Sequence, residues 1–307
     1  MRPSIVLNEP YAGLQAQAVG LAEAAGLQPE LISLRPRMPW RLIPARLWPA
    51  PLNAVRLMDP GDAVAIGAGG TAAVVAAALR RPGRPVVQVQ HPRIDPARFD
   101  LIVVNRHDGL AGRNVVVTRT ALHRATPARL AEAAALWAPR LAHLSRPLVA
   151  VLVGGSNGRF RLDAEVATKL GASLAGMMQA DQVGLALTPS RRTTENVRAA
   201  LHAGVAPLGG WVWDMAGDNP YFGLLALADA IVVTEDSVSM VSEAVATSAP
   251  VLLAALPGRS RRIRMFNRFL QEDGRVRPFA GRLDLWPVTP IDDTQAAADE
   301  MRRRLDF

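Results

Sequence analysis

Apolar residues in this chain come in short unbroken runs, separated by longer stretches in which they recur at helical spacing. The runs Ser4–Leu7, Ala63–Gly67, Val86–Val89 and Leu101–Val104 have the composition of strands buried on both faces of a parallel sheet. Between them, Gln15–Ala25 (closed by Gly26) and Thr71–Arg80 read as helices. Val115–Val117 is a shorter strand candidate, residues 127–144 are helical in pattern, and Ser145-Arg146-Pro147 reads as a linker. The alternation then resumes, with strands at Val149–Val153, Gly184–Thr188, Gly210–Val212, Ala230–Val233 and Val251–Ala254. The expectation is an α/β protein of two Rossmann-like domains, spanning 1–146 and 147–292. A final helix in 293–307 is expected to pack back on the first domain.

In a parallel sheet of this kind the carboxyl ends of the strands form the ligand edge. After Ile231-Val232-Val233 the chain turns polar, and Ser237 or Ser239 is placed to cap the next helix, leaving backbone N–H groups for an anion. Glu243 near the start of that helix has two readings: a carboxylate accepting from two adjacent hydroxyls, or a first-turn acid favoured by the helix dipole. The strand Leu148–Val153 breaks into Gly154-Gly155-Ser156, which either admits a phosphate to the backbone or is only a tight connection. Its spacing fits neither the Walker lysine loop nor GxGxxG.

Ser190, Arg191, Arg192 and Thr193 follow the strand Gly184–Thr188. In a loop both guanidinium forks can converge on a diphosphate; alternatively Thr193 or Thr194 caps a helix from Glu195 and the arginines are solvated. Asn219, ahead of Pro220-Tyr221, either binds a base or sugar or stabilises the turn. Candidates for a general base are His91 and the pair His107 and Asp108, where each histidine also reads as a structural loop residue, and Glu9 at the end of the first strand. Glu235-Asp236 lacks the DxD spacing of a metal-dependent transferase and reads as a solvated acidic loop, so no metal site is assigned.

Composition narrows the function classes. The chain has 307 residues and 50% hydrophobic content, enough for a large core, and no cysteine, which excludes disulfides, thiolate zinc sites and thiol catalysis. Its net charge of +8 is almost wholly arginine, Lys169 being the one lysine. The basic residues are dispersed and only 5% of residues are aromatic, so nucleic-acid binding is not expected. Met1 leads straight into the first strand and no apolar run of ~18 residues occurs, so a cytoplasmic protein is expected. Trp40, Arg41, Leu42, Ile43, Arg46, Leu47 and Trp48 mix basic and large apolar groups. With Pro39, Pro44, Pro49 and Pro51 interrupting any long helix, they read as a docking loop at the inner membrane surface or a substrate lip.

Thr188-Pro189-Ser190-Arg191-Arg192-Thr193, Asn219-Pro220-Tyr221, Leu227-Ala228-Asp229-Ala230 and Val233 through Ala244 carry a further signal, with His91-Pro92-Arg93, Phe99-Asp100-Leu101 and His107-Asp108 upstream. On these residues the chain resembles the mitochondrial fission Elm family, whose fold looks like that of the two-domain GT-B glycosyltransferases. The resemblance implies two domains facing across a cleft, with a nucleoside-diphosphate sugar on the second and the acceptor on the first. Glu243 would take the ribose hydroxyls; Ser237, Ser239 and Met240 at the helix start would take the diphosphate, with Gly154, Gly155 and Ser156 opposite. Ser190, Arg191, Arg192, Thr193 and Asn219 would complete the nucleotide site. The implied function is glycosyl transfer to an envelope or lipid-linked acceptor, with the nucleotide sugar as donor substrate and no resident cofactor. A GT-B-shaped scaffold without turnover and a nucleotide-sugar epimerase are the alternatives.

Overall fold

A computed structural model describes residues 2–9 and 12–307; Met1, from which the sequence was read to run straight into a strand, lies outside them. The chain divides into two compact units, one made of Met1–Arg124 with Asp292–Phe307, the other of Ala125–Ile291.

The first unit is built on six parallel strands: β1 (Pro3–Asn8), β2 (Gln28–Ser33), β3 (Val64–Ala68), β4 (Val86–Val89), β5 (Leu101–Asn105) and β6 (Val115–Thr118), in the order β2-β1-β3-β4-β5-β6. Every residue of β3, β4 and β5 is buried, which is why their sequences run apolar without alternation. Val6, Ile66, Val87 and Val103 face one layer, with Leu21 and Ala22 of α1 (Ala12–Ala24) and Ala298 and Met301 of α10 (Asp293–Leu305). Ile5, Ala65, Val86 and Ile102 face the other, with Ala73 and Val75 of α3 (Gly70–Leu79). Helix α10 is fastened by Asp293, whose carboxylate accepts from the backbone N–H of Arg119 (2.5 Å) and from its guanidinium (2.7 Å). Beside it His123 is buried, with Nε2 3.4 Å from Asp292 Oδ1; burial holds the imidazole pKa below its usual value, while Asp292 and Asp293 pull it upward.

The crossover from β2 to β3 is made of 3-10 turns at Trp40–Leu42 and Ala45–Leu47 and the single turn α2 (Pro51–Ala54), the prolines having removed any longer helix.

The second unit repeats the plan with β7 (Leu148–Val153), β8 (Gly184–Pro189), β9 (Trp211–Val212), β10 (Ala230–Thr234), β11 (Val251–Ala254) and β12 (Val276–Pro278), all parallel, in the order β12-β11-β10-β7-β8-β9. Its helices are α4 (Pro127–Leu141), α5 (Ala164–Asp181), α6 (Glu195–Val205), α7 (Tyr221–Leu227), α8 (Val238–Val245) and α9 (Arg261–Glu272). The sequence placed α4 in the first domain. It lies in the second unit because Trp137 and Leu141 share a core with Leu224 and Leu225 of α7, and Gly223 leaves room for the Trp137 indole where a Cβ would collide. The carboxyl end of α8 is closed by buried Arg275, which donates to the carbonyls of Val245 (3.1 Å), Thr247 (2.6 Å) and Ala249 (3.0 Å).

Each sheet has one switch point, where successive connections turn to opposite sides: between β1 and β3 in the first, between β7 and β10 in the second. Ligands of open α/β sheets bind outside the carboxyl ends of strands at such points.

Candidate functional site

At the second switch point three loops leave neighbouring strands: Gly154–Ser156 after β7, Ser190–Thr193 after β8, and Glu235–Ser237 after β10. Asp236 holds them together. Its side chain is wholly buried, and Oδ2 accepts from Arg192 Nη2 (2.7 Å) and from the N–H of Gly155 (3.3 Å), while Arg192 Nη1 donates to the Gly155 carbonyl (2.8 Å). A Cβ at Gly154 would overlap the Asp236 carboxylate, and one at Gly155 would overlap the Arg192 carbonyl. The glycines are therefore required by loop-to-loop approach inside the protein. Ser190 Oγ (2.9 Å) and Thr193 Oγ1 (2.5 Å) both donate to the Gly154 carbonyl, and the N–H of Ser190 donates to Thr193 Oγ1 (2.9 Å). Thr193 is thus a lock between loops, and Thr194 stands at the start of α6 without a side-chain cap. Ser156 exchanges hydrogen bonds with the backbone of Leu162 (2.8 and 2.9 Å). Arg191 is exposed and makes no ion pair among the described residues.

The acidic pair after β10 is not the solvated loop that the sequence suggested: Asp236 is committed to Arg192, and Glu235 Oε1 accepts from the N–H of Leu256 (3.0 Å). Among the described residues no group of three His, Asp or Glu side chains is arranged to hold a metal ion.

Ser237 caps α8, its Oγ accepting from the N–H of Met240 (3.3 Å), so Ser239 and Met240 lie in the first turn. Glu243 is the sixth residue of that helix, and its position is not explained by the dipole at the amino end. It is buried; Oε2 accepts from the Tyr221 hydroxyl (2.5 Å), and Oε1 accepts no hydrogen bond among the described residues. Burial pushes its carboxyl up to about 7 against the opposing pull of the Tyr221 bond, and burial, reinforced by the Glu243 carboxylate, drives the Tyr221 hydroxyl well above its usual range. Asn219 sets the tyrosine in place, its Oδ1 accepting from the N–H of Tyr221 (2.9 Å) at the start of α7.

The candidates in the first unit are occupied differently. Glu9 Oε1 accepts from the N–H groups of Thr71 (2.8 Å) and Ala72 (3.3 Å), capping α3 at the first switch point. His91 Nδ1 accepts from the N–H of Arg93 (3.0 Å), which leaves the proton of the neutral ring on Nε2. His107 and Asp108 form a short 3-10 turn in which Asp108 Oδ2 accepts from the N–H of Asn105 (3.3 Å) and Asn105 Oδ1 from that of His107 (3.3 Å). Their side chains stand 3.7 Å apart, beyond hydrogen-bond reach.

Sequence reasoning passed over Asp236 as a hub and Tyr221 as the partner of Glu243. Both partnerships join residues far apart in the chain, 44 and 22 positions respectively.

Two doubly wound parallel sheets, the second gathering polar loops and a capped helix at its switch point, define an α/β protein of the GT-B class. Within that class, residues 12–305 match the family described as mitochondrial fission ELM1, and the chain belongs to it. It is 33% identical over 276 residues to mitochondrial fission protein ELM1 of Arabidopsis thaliana, a match covering 80% of this chain and 64% of that protein, so the chain spans less than two thirds of that relative's length. Among solved structures it is similar to UDP-GlcNAc 2-epimerase from Methanocaldococcus jannaschii, with a TM-score of 0.60 and 13% identity over the whole of both chains. It is also similar to the glycosyltransferase SnogD from Streptomyces nogalater, with a TM-score of 0.53 and 14% identity over 99% of this chain and 95% of that one. At these identities the likeness is one of fold.

Proposed function

We propose that this chain is a glycosyltransferase that holds a nucleoside-diphosphate sugar in its second unit and transfers the sugar to a hydroxyl of an envelope or lipid-linked acceptor. The observation that carries the reading is the unused Oε1 of Glu243, on the helix whose amino end meets Gly154–Ser156 and Ser190–Thr193 at the switch point. Oε1 accepts a ribose hydroxyl. The first-turn amides of α8 and the exposed Arg191 fork meet the diphosphate, whose charge grows as the sugar leaves. The similar folds include a UDP-GlcNAc epimerase and a glycosyltransferase, which supports a donor of that class. The donor is a substrate, and the scheme needs no resident cofactor.

Two observations favour a second reading, a nucleotide-sugar-binding protein without turnover: Glu9 is engaged as a cap, and the acceptor nitrogen of His91 is already used. Thermal unfolding and calorimetry with UDP, GDP and their sugars test the shared element. Ligand at about 100 times its Kd raises stability by about 2.7 kcal/mol, and Glu243→Ala removes the shift while the protein stays folded. Absence of a shift with every nucleotide defeats both readings. Binding without release of nucleoside diphosphate in the presence of acceptors selects the second.

A further inference from the structure

Twenty-five residues of the first unit, Leu34 to Met58, contain five arginines (Arg35, Arg37, Arg41, Arg46, Arg56) and no acidic residue. All five are exposed, and none makes an ion pair among the described residues. The same segment supplies Met38, Leu42, Ile43, Leu47, Leu52 and Met58, six of the eleven large apolar side chains exposed among the described residues. Leu42 is 75% exposed, Leu47 62% and Met58 89%, so these are tips standing in solvent.

The segment is held in shape beneath those tips. Trp48 is buried in the core of the first unit, and its indole Nε1 donates to the carbonyls of Trp40 (3.2 Å) and Ile43 (3.0 Å), with the Trp40 ring edge-on at 6.3 Å. The N–H of Leu42 donates to Pro39 (3.0 Å), that of Leu47 to Pro44 (2.8 Å), and that of Arg37 to Ala54 (2.8 Å). Two short turns thus present Leu42 and Leu47 from a fixed base, and little conformational freedom is lost when the tips are buried elsewhere. Grouped exposed apolar side chains mark a partner surface, and an uncompensated positive segment around them calls for a partner that is both apolar and negatively charged.

We infer that Leu34–Met58 docks this protein on the surface of an anionic lipid bilayer, with Leu42 and Leu47 entering the headgroup region and the arginines lying among the lipid phosphates. Among the described residues no helix is long and apolar enough to cross a membrane, and the docking needs none. This segment belongs to the first unit and shares no residue with the proposed nucleotide site in the second, so the two proposals fail or stand independently.

The test is flotation of the full chain with vesicles of phosphatidylcholine alone and of an equal mixture with phosphatidylglycerol, at low and high salt. Flotation with the mixed vesicles only, weakened by salt, is expected. Leu42→Glu/Leu47→Glu should abolish it, and Arg41→Ala/Arg46→Ala should weaken partitioning by about fivefold for each arginine removed, both without change in melting temperature. The arginine pair is solvent-exposed, so it decides the matter should the leucine variant fold poorly. No flotation with mixed vesicles, equal flotation with neutral ones, or unimpaired flotation of the arginine variant overturns the inference. So does a dimer in sedimentation velocity that Leu42→Glu/Leu47→Glu dissociates, which would assign the surface to a second copy.

Discussion

The hydroxyl of Tyr221 donates to Oε2 of Glu243 across 2.5 Å, tying the first residue of α7 to the sixth of α8. The bond favours the charged carboxylate and burial favours the neutral acid; burial wins, and the group titrates at about 7.

The resulting pH dependence has a definite sign. The native carboxyl holds its proton more tightly than the unfolded one, so the stabilisation is complete below about 4.5 and is lost as pH rises through about 7. The difference amounts to about 3 kcal/mol at most. Glu243→Gln should therefore flatten the fall in denaturant midpoint over that window and exceed the wild type in alkaline buffer. Parallel profiles for the two proteins would show that the carboxyl is not buried as described. Nucleotide affinity should move the opposite way, improving as Glu243 ionises, if its carboxylate holds the ribose.

Arg192 is the main counter-charge of the wholly buried Asp236. Removing it by Arg192→Ala strands a carboxylate and should cost about 3 kcal/mol, at the low end for a broken buried pair because Arg192 itself is half-exposed. Arg192→Ala/Asp236→Asn should recover part of the loss. A double-mutant cycle in urea measures the coupling, and strict additivity would mean the pair contributes nothing.

Gly155→Ala forces the added methyl against the Arg192 carbonyl, backbone that cannot rotate away. A loss of about 1–3 kcal/mol is expected and, if the proposed nucleotide site is correct, a larger proportional loss of nucleotide affinity because the Ser190–Thr193 loop moves. Ser156→Ala, at an exposed position, should be much milder. Equal effects of the two substitutions would count against the close approach.

His123 gives the first unit the reverse pH trend. Its native pKa lies below the unfolded value of about 6.5, so the unfolded chain takes up the proton first and stability falls as pH drops through that region. His123→Leu should flatten the acid limb of the unfolding profile. An unchanged acid limb would show that Asp292 and Asp293 compensate fully for burial.

How much of this was legible in the sequence depended on burial. Strands β3, β5, β7 and β10 are buried along their whole length and announce themselves as apolar runs. Edge strand β2 (QPELIS) has no fully buried residue, and β12 buries only Val276, so neither left a pattern. The unit boundary was misplaced because Ser145-Arg146-Pro147 has the composition of a linker, whereas the chain crosses at Arg124 within an ordinary stretch. Glu243, Gly154–Ser156 and Ser190–Thr193 could be picked out because a strand followed by a polar loop and a helix locates the ligand edge by itself. The bonds that define the site, Tyr221 to Glu243 and Arg192 to Asp236, depend on which helices and loops become neighbours, and no local pattern encodes that.

Helix α10 completes the layer over Val6, Ile66 and Val87, although it follows them by more than two hundred positions. During synthesis the unit begun last can therefore finish first, since residues 125–291 all emerge before α10 does. Until α10 docks, one face of the earlier unit's sheet is only partly roofed, by α1, an inversion of the usual amino-to-carboxyl order of maturation.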